Sequence, residues 1–359
     1  MTKPNYFPSF PGNNPWLLLA GLLLLAAGCG KKGGVSENAL FEPLDSARTG
    51  LGFVNAVRDS ADLNIIDYLY FYNGAGVAAG DVNNDGFTDL FFVSNRGKNK
   101  LYLNQGTQKG EKGKQADRQE AGFRFTDVTE AAGVAGYADW KTGVTMADVN
   151  GDGWLDIYVC AVANYKGLEG TNELYLNNGA GPDGQVTFTE KAADYGLDFA
   201  GFSTQAAFFD YDHDGDLDCY LLNHAVHTSR SYDRVIARLL RDNEAGDYLF
   251  RNDGKRFTDV SQQAGIYGAA MGYGLGISVA DLDNDGWEDI YVSNDFHEDD
   301  YYYRNNGDGT FTESLKKAFT HISKYSMGND IADVNNDGFL DVITLDMYPE
   351  DEKVEKASV

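Results

Sequence analysis

The chain has 359 residues, enough to bury a large core, and its 55 acidic against 29 basic side chains leave a formal charge of −26. A field of that sign repels phosphate backbones and anionic headgroups, so sequence-independent nucleic-acid binding is excluded and cations are drawn in. The acids are gathered in repeated clusters rather than spread evenly.

Residues 1–28 read as an export signal. Lys3 supplies a weak basic start, and Trp16 to Ala27 form a Leu-rich run shorter than the about 20 residues of a comfortable membrane span. The run ends in Leu25, Ala26, Ala27, Gly28 and Cys29, which resembles the lipobox of bacterial lipoproteins, with Ala26 where Leu is usual. That resemblance implies cleavage before Cys29, lipidation of Cys29 and a flexible tether over 29–49. The protein is then expected in the bacterial cell envelope, held to the outer membrane by its lipid and facing the periplasm or the surface.

Beyond the tether, five segments share a nine-residue pattern with oxygen-bearing residues at positions 1, 3, 5 and 9 and Gly at position 6. The donors are Asp81, Asn83, Asp85 and Asp89; Asp148, Asn150, Asp152 and Asp156; Asp210, Asp212, Asp214 and Asp218; Asp281, Asp283, Asp285 and Asp289; and Asp333, Asn335, Asp337 and Asp341. Successive copies start 67, 62, 71 and 52 residues apart, a period that marks repeated supersecondary units. A small-residue apolar run precedes each loop and a β-type run follows it, such as Ile157 to Val159 or Val342 to Leu345, apolar on both faces. Two more strands follow, one ending in Asn104, Asn177, Asn252 or Asn305 and one opening on Phe125, Phe188, Phe257 or Phe311. Four strands per repeat predict an all-β fold, a β-propeller of four-stranded blades with the loop between the first two strands. The fifth unit stops after its second strand, so the propeller is expected to be incomplete at the C-terminus, with further blades downstream and Leu51 to Val57 as a replacement outer strand.

Oxygens at positions 1, 3 and 5, Gly at 6 and a carbonyl at 7 are how short loops wrap a hard cation, and six to eight oxygens suit Ca²⁺ better than Mg²⁺. Position 12 holds Phe92, Val159, Leu221, Val292 or Thr344, which excludes an EF-hand with its bidentate Glu. Up to five structural Ca²⁺ ions are expected, and their ten charges would leave about −16 on the chain. The third and fourth loops carry four carboxylates against three elsewhere, so they are expected to bind most tightly.

Cys160 and Cys219 stand at opposite strand parity, which predicts two buried free thiols on opposite faces. Residues 225–247 carry apolar residues at helical spacing, and His224 with His227 forms a His-x-x-His pair lacking an evident third ligand. Asp295, Glu298, Asp299 and Asp300 beside Tyr301 to Tyr303 form an acidic–aromatic edge, either a sugar cradle or a loop beside a packing strand.

The loops and their apolar flanks resemble FG-GAP/VCBS repeats, as in integrin α-chain propellers. The Leu101-to-Asn104 and Phe125-to-Thr129 strands, Ser326 to Asp330 and Asp346 to Asp351 resemble the VCBS-repeat lipoproteins related to cartilage acidic protein. Longer members of that family end in an ASPIC/UnbV segment, which is absent here. The resemblance implies a calcium-binding propeller over 50–359, four blades plus a partial fifth, without a common reaction. The function expected is a non-catalytic scaffold that binds glycan or protein; the alternative is a polysaccharide-processing enzyme or its accessory subunit, built from acids outside the repeats.

Overall fold

In the computed structural model the described residues are 40–41, 43–106, 123–182, 184–226, 240–254, 256–296 and 298–347. The backbone divides into Met1–Asp45 and Ser46–Val359, and the strands of the described residues lie in the second unit. The signal, Cys29, the polar stretch 107–120, His227 and most of the expected helix within 225–247 lie outside the described residues.

Among the described residues the second unit is all-β, with four four-stranded antiparallel sheets and one two-stranded sheet. The first sheet holds β1 (Val77–Gly80), β2 (Asp89–Phe92), β3 (Lys100–Asn104) and β4 (Phe125–Asp127) in chain order. The second holds β5 (Lys141–Ala147), β6 (Asp156–Ala161), β7 (Glu173–Ala180) and β8 (Val186–Glu190). The third holds β9 (Ser203–Phe209), β10 (Asp218–Asn223), β11 (Tyr248–Asn252) and β12 (Phe257–Asp259). The fourth holds β13 (Gly274–Ala280), β14 (Asp289–Asn294), β15 (Tyr301–Asn305) and β16 (Phe311–Glu313), and β17 (Ser326–Ala332) pairs with β18 (Asp341–Asp346). One-turn helices follow all four fourth strands, over Leu315–Ala318 after β16 and over Thr129–Ala132, Ala192–Tyr195 and Ser261–Ala264 after the other three. The last three end on a left-handed Gly at 133, 196 or 265, the residue that closes a helix at least steric cost.

The small residues of the first strands let neighbouring sheets meet. β1 lies beside β5, β5 beside β9, β9 beside β13 and β13 beside β17. A methyl group at Gly76 would sit 2.8 Å from the Val144 nitrogen, and one at Gly276 2.8 Å from the Gly328 Cα. Hydrogen bonds cross the first three seams: Gly76 N–H donates to Thr142 O (2.6 Å), Thr142 Oγ1 to Ser203 O (2.7 Å) and Thr204 Oγ1 to Gly274 O (2.9 Å).

Apolar layers fill the space between sheets because the second strands are apolar on both sides. Phe91, Val93 and Leu101 face Ile157, Val159 and Tyr175; Tyr158 and Cys160 face Cys219 and Leu221; Tyr220 and Leu222 face Ile290 and Val292. The expectation that the two thiols point apart therefore needs correction. Both are free and buried, but they share one layer. Opposite parity on adjacent sheets turns two side chains toward each other, whereas on one strand it turns them apart.

The N-terminal part departs from the expected outer strand. No strand forms over 51–57; instead Phe53 stacks on Phe92 with centroids 5.0 Å apart, so this segment covers the first sheet by packing. Farther on, Leu63, Tyr68, Tyr70 and Phe71 enter a layer with Trp140, Phe202 and Tyr273. Such a run lacks strand or helix period, so pattern alone does not disclose its role.

Candidate metal sites

Each loop is wound by its own acids. The position-1 carboxylate accepts the N–H groups of positions 5 and 6 in all five copies, as from Asp85 (3.1 Å) and Gly86 (2.7 Å) to Asp81 and from Asp337 (3.0 Å) and Gly338 (2.9 Å) to Asp333. Position 5 accepts the N–H of position 7, at 2.9 Å for Asp152 and Trp154. The chain turns left-handed at position 4, with φ between 55° and 60° at Asn84, His213, Asn284 and Asn336, and at the position-6 glycines. That explains Asn and Gly at these places, since Asn tolerates and Gly prefers positive φ.

Position 9 ties its loop to the third strand. Oδ2 of Asp89, Asp156, Asp218 and Asp289 accepts the position-2 N–H of its own loop, from Val82 (3.0 Å), Val149 (3.0 Å), Tyr211 (3.2 Å) and Leu282 (3.2 Å). Oδ1 accepts the N–H of the asparagine ending the third strand: Asn104 (2.7 Å), Asn177 (2.8 Å), Asn252 (2.7 Å) and Asn305 (2.8 Å). These four carboxylates are buried. Burial pushes Asp89 up to about 6 and Asp156 and Asp218 up to about 7, against the opposing pull of the N–H donors. The recurrent asparagine is thus a staple. Its Nδ2 donates to the position-8 carbonyl of its own loop and, from the second sheet on, to the position-2 carbonyl of the preceding loop, as Asn177 does to Leu155 O (3.1 Å) and Val82 O (2.8 Å).

Two loops bring three carboxylates within 4.8 Å of one another: Asp210, Asp212 and Asp218, and Asp281, Asp283 and Asp285. In the third loop Asp212 Oδ1 is shielded from solvent with no donor in hydrogen-bonding geometry, and burial and the Asp214 charge raise the pKa of this carboxyl against the pull of the Asp214 N–H. A buried acceptor without a donor beside like charges is costly, and a hard cation relieves it. Oxygen-only donors fit such an ion. The fourth loop differs, because Arg304 engages Asp283 through Nε and Asp285 through Nη2, the latter at 2.7 Å. Leu103 and Leu176 occupy the equivalent place beside the first two loops, so arginine accompanies the extra carboxylate. Four acids therefore do not by themselves make the fourth loop the tighter site. Loops also touch: Asn84 Nδ2 donates to Gly153 O (3.1 Å), and His213 stacks on Trp287 at 4.0 Å with Nε2 3.2 Å from Glu288.

The other candidates are absorbed by the fold. Both ring nitrogens of His224 are engaged, Nε2 2.9 Å from Tyr68 Oη and Nδ1 3.0 Å from Thr204 Oγ1, and burial lowers its pKa to about 3. Asp300 accepts Tyr291 O–H (2.8 Å) and Asn294 N–H (2.8 Å), Glu298 accepts Tyr301 O–H (3.0 Å), and Asp299 pairs with Lys316 (2.7 Å). The acidic–aromatic edge is thus largely internal. Asp247, which carries no repeat signal in the sequence, likewise takes Tyr220 O–H (2.8 Å) and Asn223 N–H (2.9 Å), with burial raising it to about 7.

A family model for the FG-GAP-like repeat matches residues 81–159, 233–292 and 281–344. Mouse cartilage acidic protein 1 is 28% identical over 264 residues, covering 73% of this chain and 34% of the relative; the human protein is 27% identical over 265 residues with the same coverage. The chain spans about a third of the length of these curated relatives. Among solved structures, an Agrocybe aegerita lectin studied for recognition of non-reducing terminal N-acetylglucosamine aligns at a TM-score of 0.33 and 19% identity, over 65% of this chain and 49% of the lectin. The V. cholerae biofilm matrix protein Bap1 aligns at 0.36 and 13%, over 76% and 34%.

Proposed function

The chain belongs to the family of FG-GAP-like repeat proteins, and from that premise we propose that it is a calcium-organised, non-catalytic binding scaffold whose sheets are the blades of a β-propeller. The observation that carries this reading is the third loop, where Asp210, Asp212 and Asp218 converge around a shielded oxygen that lacks a donor. The other four loops supply the same kind of oxygen at the same positions, with Ca²⁺ the ion their spacing suits. The side-by-side first strands support the radial arrangement of blades across 50–359.

The non-catalytic part of the reading is supported by where three of the acids outside the loops go. Asp247, Asp300 and Glu298 are buried and bonded to tyrosine hydroxyls, and Asp247 and Asp300 also to backbone N–H, so their oxygens are already engaged within the fold. Binding has a candidate place: a cavity of about 390 Å³ where the first strands converge, walled by Tyr68, Tyr70, Trp140, Thr142, Thr204 and His224. Aromatic walls with a few polar atoms suit an uncharged polar ligand such as a glycan. The signal over 1–28, the tether over 29–49 and lipid on Cys29 would put this scaffold on the bacterial envelope. The test is a panel of envelope polysaccharides with and without chelator. Calcium-dependent retention without new reducing ends is expected; steady release of shorter products would make the protein an enzyme instead.

A further inference from the structure

We propose that Lys141 and Asn99 join in an intramolecular isopeptide bond, formed by the folded chain itself, that ties the second sheet covalently to the first. Both residues stand out against the other repeats. Lys141 opens β5 at the place held by Gly74, Ser203, Gly274 and Ser326 elsewhere. Asn99 precedes β3, and its counterparts before the other third strands are Asn172, Asp247 and Asp300. Each of the four accepts an N–H from near the end of its second strand: Ser94 (3.3 Å), Ala161 (2.7 Å), Asn223 (2.9 Å) or Asn294 (2.8 Å). The other half of each counterpart is met by a tyrosine hydroxyl, that of Tyr158 (2.9 Å), Tyr220 (2.8 Å) or Tyr291 (2.8 Å). In the first sheet that place is Phe91, and among the described residues the buried Asn99 Nδ2 has no acceptor.

The two side chains close on one spot above Gly136. A methyl group there would sit 2.7 Å from Asn99 Nδ2 and 3.2 Å from both Cδ and Cε of Lys141. Backbone bonds fix both ends, Asn99 N–H donating to Ala135 O (2.8 Å) and Lys141 N–H to Asn95 O (3.1 Å). The site is dry: Lys141 is 2% exposed, and Asn99 and Glu173 are 0% exposed. Lys141 Nζ donates to Ala138 O (2.8 Å), and burial holds this amine below the ordinary lysine range against the pull of Glu173 and Asp139. A desolvated lysine is a stronger nucleophile, because more of it carries a free electron pair. Glu173 stands where Lys100, Tyr248 and Tyr301 stand in the other sheets. It accepts the N–H groups of Tyr137 and Ala138 (2.8 Å each) and Tyr175 O–H (2.6 Å), which leaves one of the roughly four acceptor places of a carboxylate.

The neutral amine of Lys141 attacks Asn99 Cγ. The Nζ–Cγ bond forms, one amine proton passes to Glu173 and from Glu173 to Nδ2, the Cγ–Nδ2 bond breaks and ammonia leaves. No electrons are exchanged and no co-reactant is consumed. Fixed proximity in a site closed to water supplies the rate that a free amine and amide lack in solution. The departing nitrogen gives up no hydrogen bond, since none holds it. The product exchanges a buried amine and an orphaned donor, both costly, for one amide across the seam. A cross-link of this kind also restrains the unfolded chain, which suits a scaffold whose sheets meet edge to edge.

The experiment is mass spectrometry of the full chain, folded in calcium and then denatured and digested. The expected parent is lighter by one ammonia than its covalent formula and yields a branched peptide joining the segments around Asn99 and Lys141. Lys141→Met and Asn99→Ala should each keep the full mass. Asn99→Asp, which preserves the shape, should lose one water in place of ammonia. Glu173→Gln should slow the loss after refolding by about a hundred-fold, the scale of a missing proton carrier. A folded parent of full mass, with Asn99 and Lys141 recovered in separate linear peptides, overturns the proposal. So does a loss of ammonia that persists in Lys141→Met. Mass reads the bond directly, so the outcome is independent of whether the loops hold calcium or the cavity a glycan.

Discussion

Removing calcium at pH 7.5 is expected to lower the melting temperature by roughly 10–20 °C. A site whose dissociation constant lies ten-fold below ambient calcium contributes about 1.4 kcal/mol, so five sites approach about 7 kcal/mol, comparable with a whole domain's stability of about 5–15 kcal/mol. At about 2–4 °C per kcal/mol for a domain of this order, the shift follows, taken near its lower end for so long a chain. The sign of the pH dependence provides a second readout. Asp89, Asp156 and Asp218 have folded pKa values of about 6, 7 and 7, above the unfolded value near 4. The native chain then holds more protons than the unfolded chain between about pH 4 and 7, and stability falls as pH rises through that window. Chelated protein should therefore melt higher at pH 5.5 than at 7.5, whereas saturating calcium, which favours ionised carboxylates, should reverse the slope. Scanning calorimetry at the two pH values with EDTA or calcium measures both. Identical melting in the two solutions would leave the ions without a structural part.

The second large effect is expected from Asp218→Ala, at about 3–5 kcal/mol in chelator and more in calcium. The substitution strands the buried N–H groups of Tyr211 and Asn252, and each unsatisfied donor costs about 1–3 kcal/mol, with the lost packing added. Asp218→Asn separates the two tasks of this side chain. It keeps an acceptor oxygen and the shape, so in chelator it should melt within about 1 kcal/mol of the parent. In calcium it should fall behind by the third loop's share, because a carboxylate ligand is gone. Denaturant titration of the three proteins in both solutions reads the difference; an alanine variant as stable as the parent would mean that the staple carries no load.

Much of this fold is legible in the sequence because its period is loud. Gly at position 6, the alternate oxygens and the strands apolar on both faces are local signals, and they locate β2, β6, β10, β14 and β18 without any knowledge of packing. The asparagine ending the third strand is visible as a repeated letter, but its meaning is not. Its carbonyl partner can lie 95 residues away in the preceding loop, as for Asn177 and Val82, and no window of sequence joins them. Parity misplaces the two thiols because it holds along one strand, whereas their layer is shared by two sheets. Leu63 to Phe71 give no signal since an irregular segment carries no period, though its aromatics close a core layer. Within the loops the ligand types are readable, while the pairing of Arg304 with Asp283 and Asp285 depends on which strand crosses beside the loop.

That arginine and the tryptophans at position 7 supply the most direct test of whether these loops hold calcium. Terbium takes calcium's place among oxygen donors and emits when a nearby indole is excited; Trp154 reports the second loop and Trp287 the fourth. Sensitised emission is expected that calcium displaces, that falls on replacing either tryptophan by phenylalanine, and whose Trp287 component saturates at lower terbium in Arg304→Leu. Folded protein that shows no sensitised emission, or emission that excess calcium leaves unchanged, contradicts a calcium-organised fold.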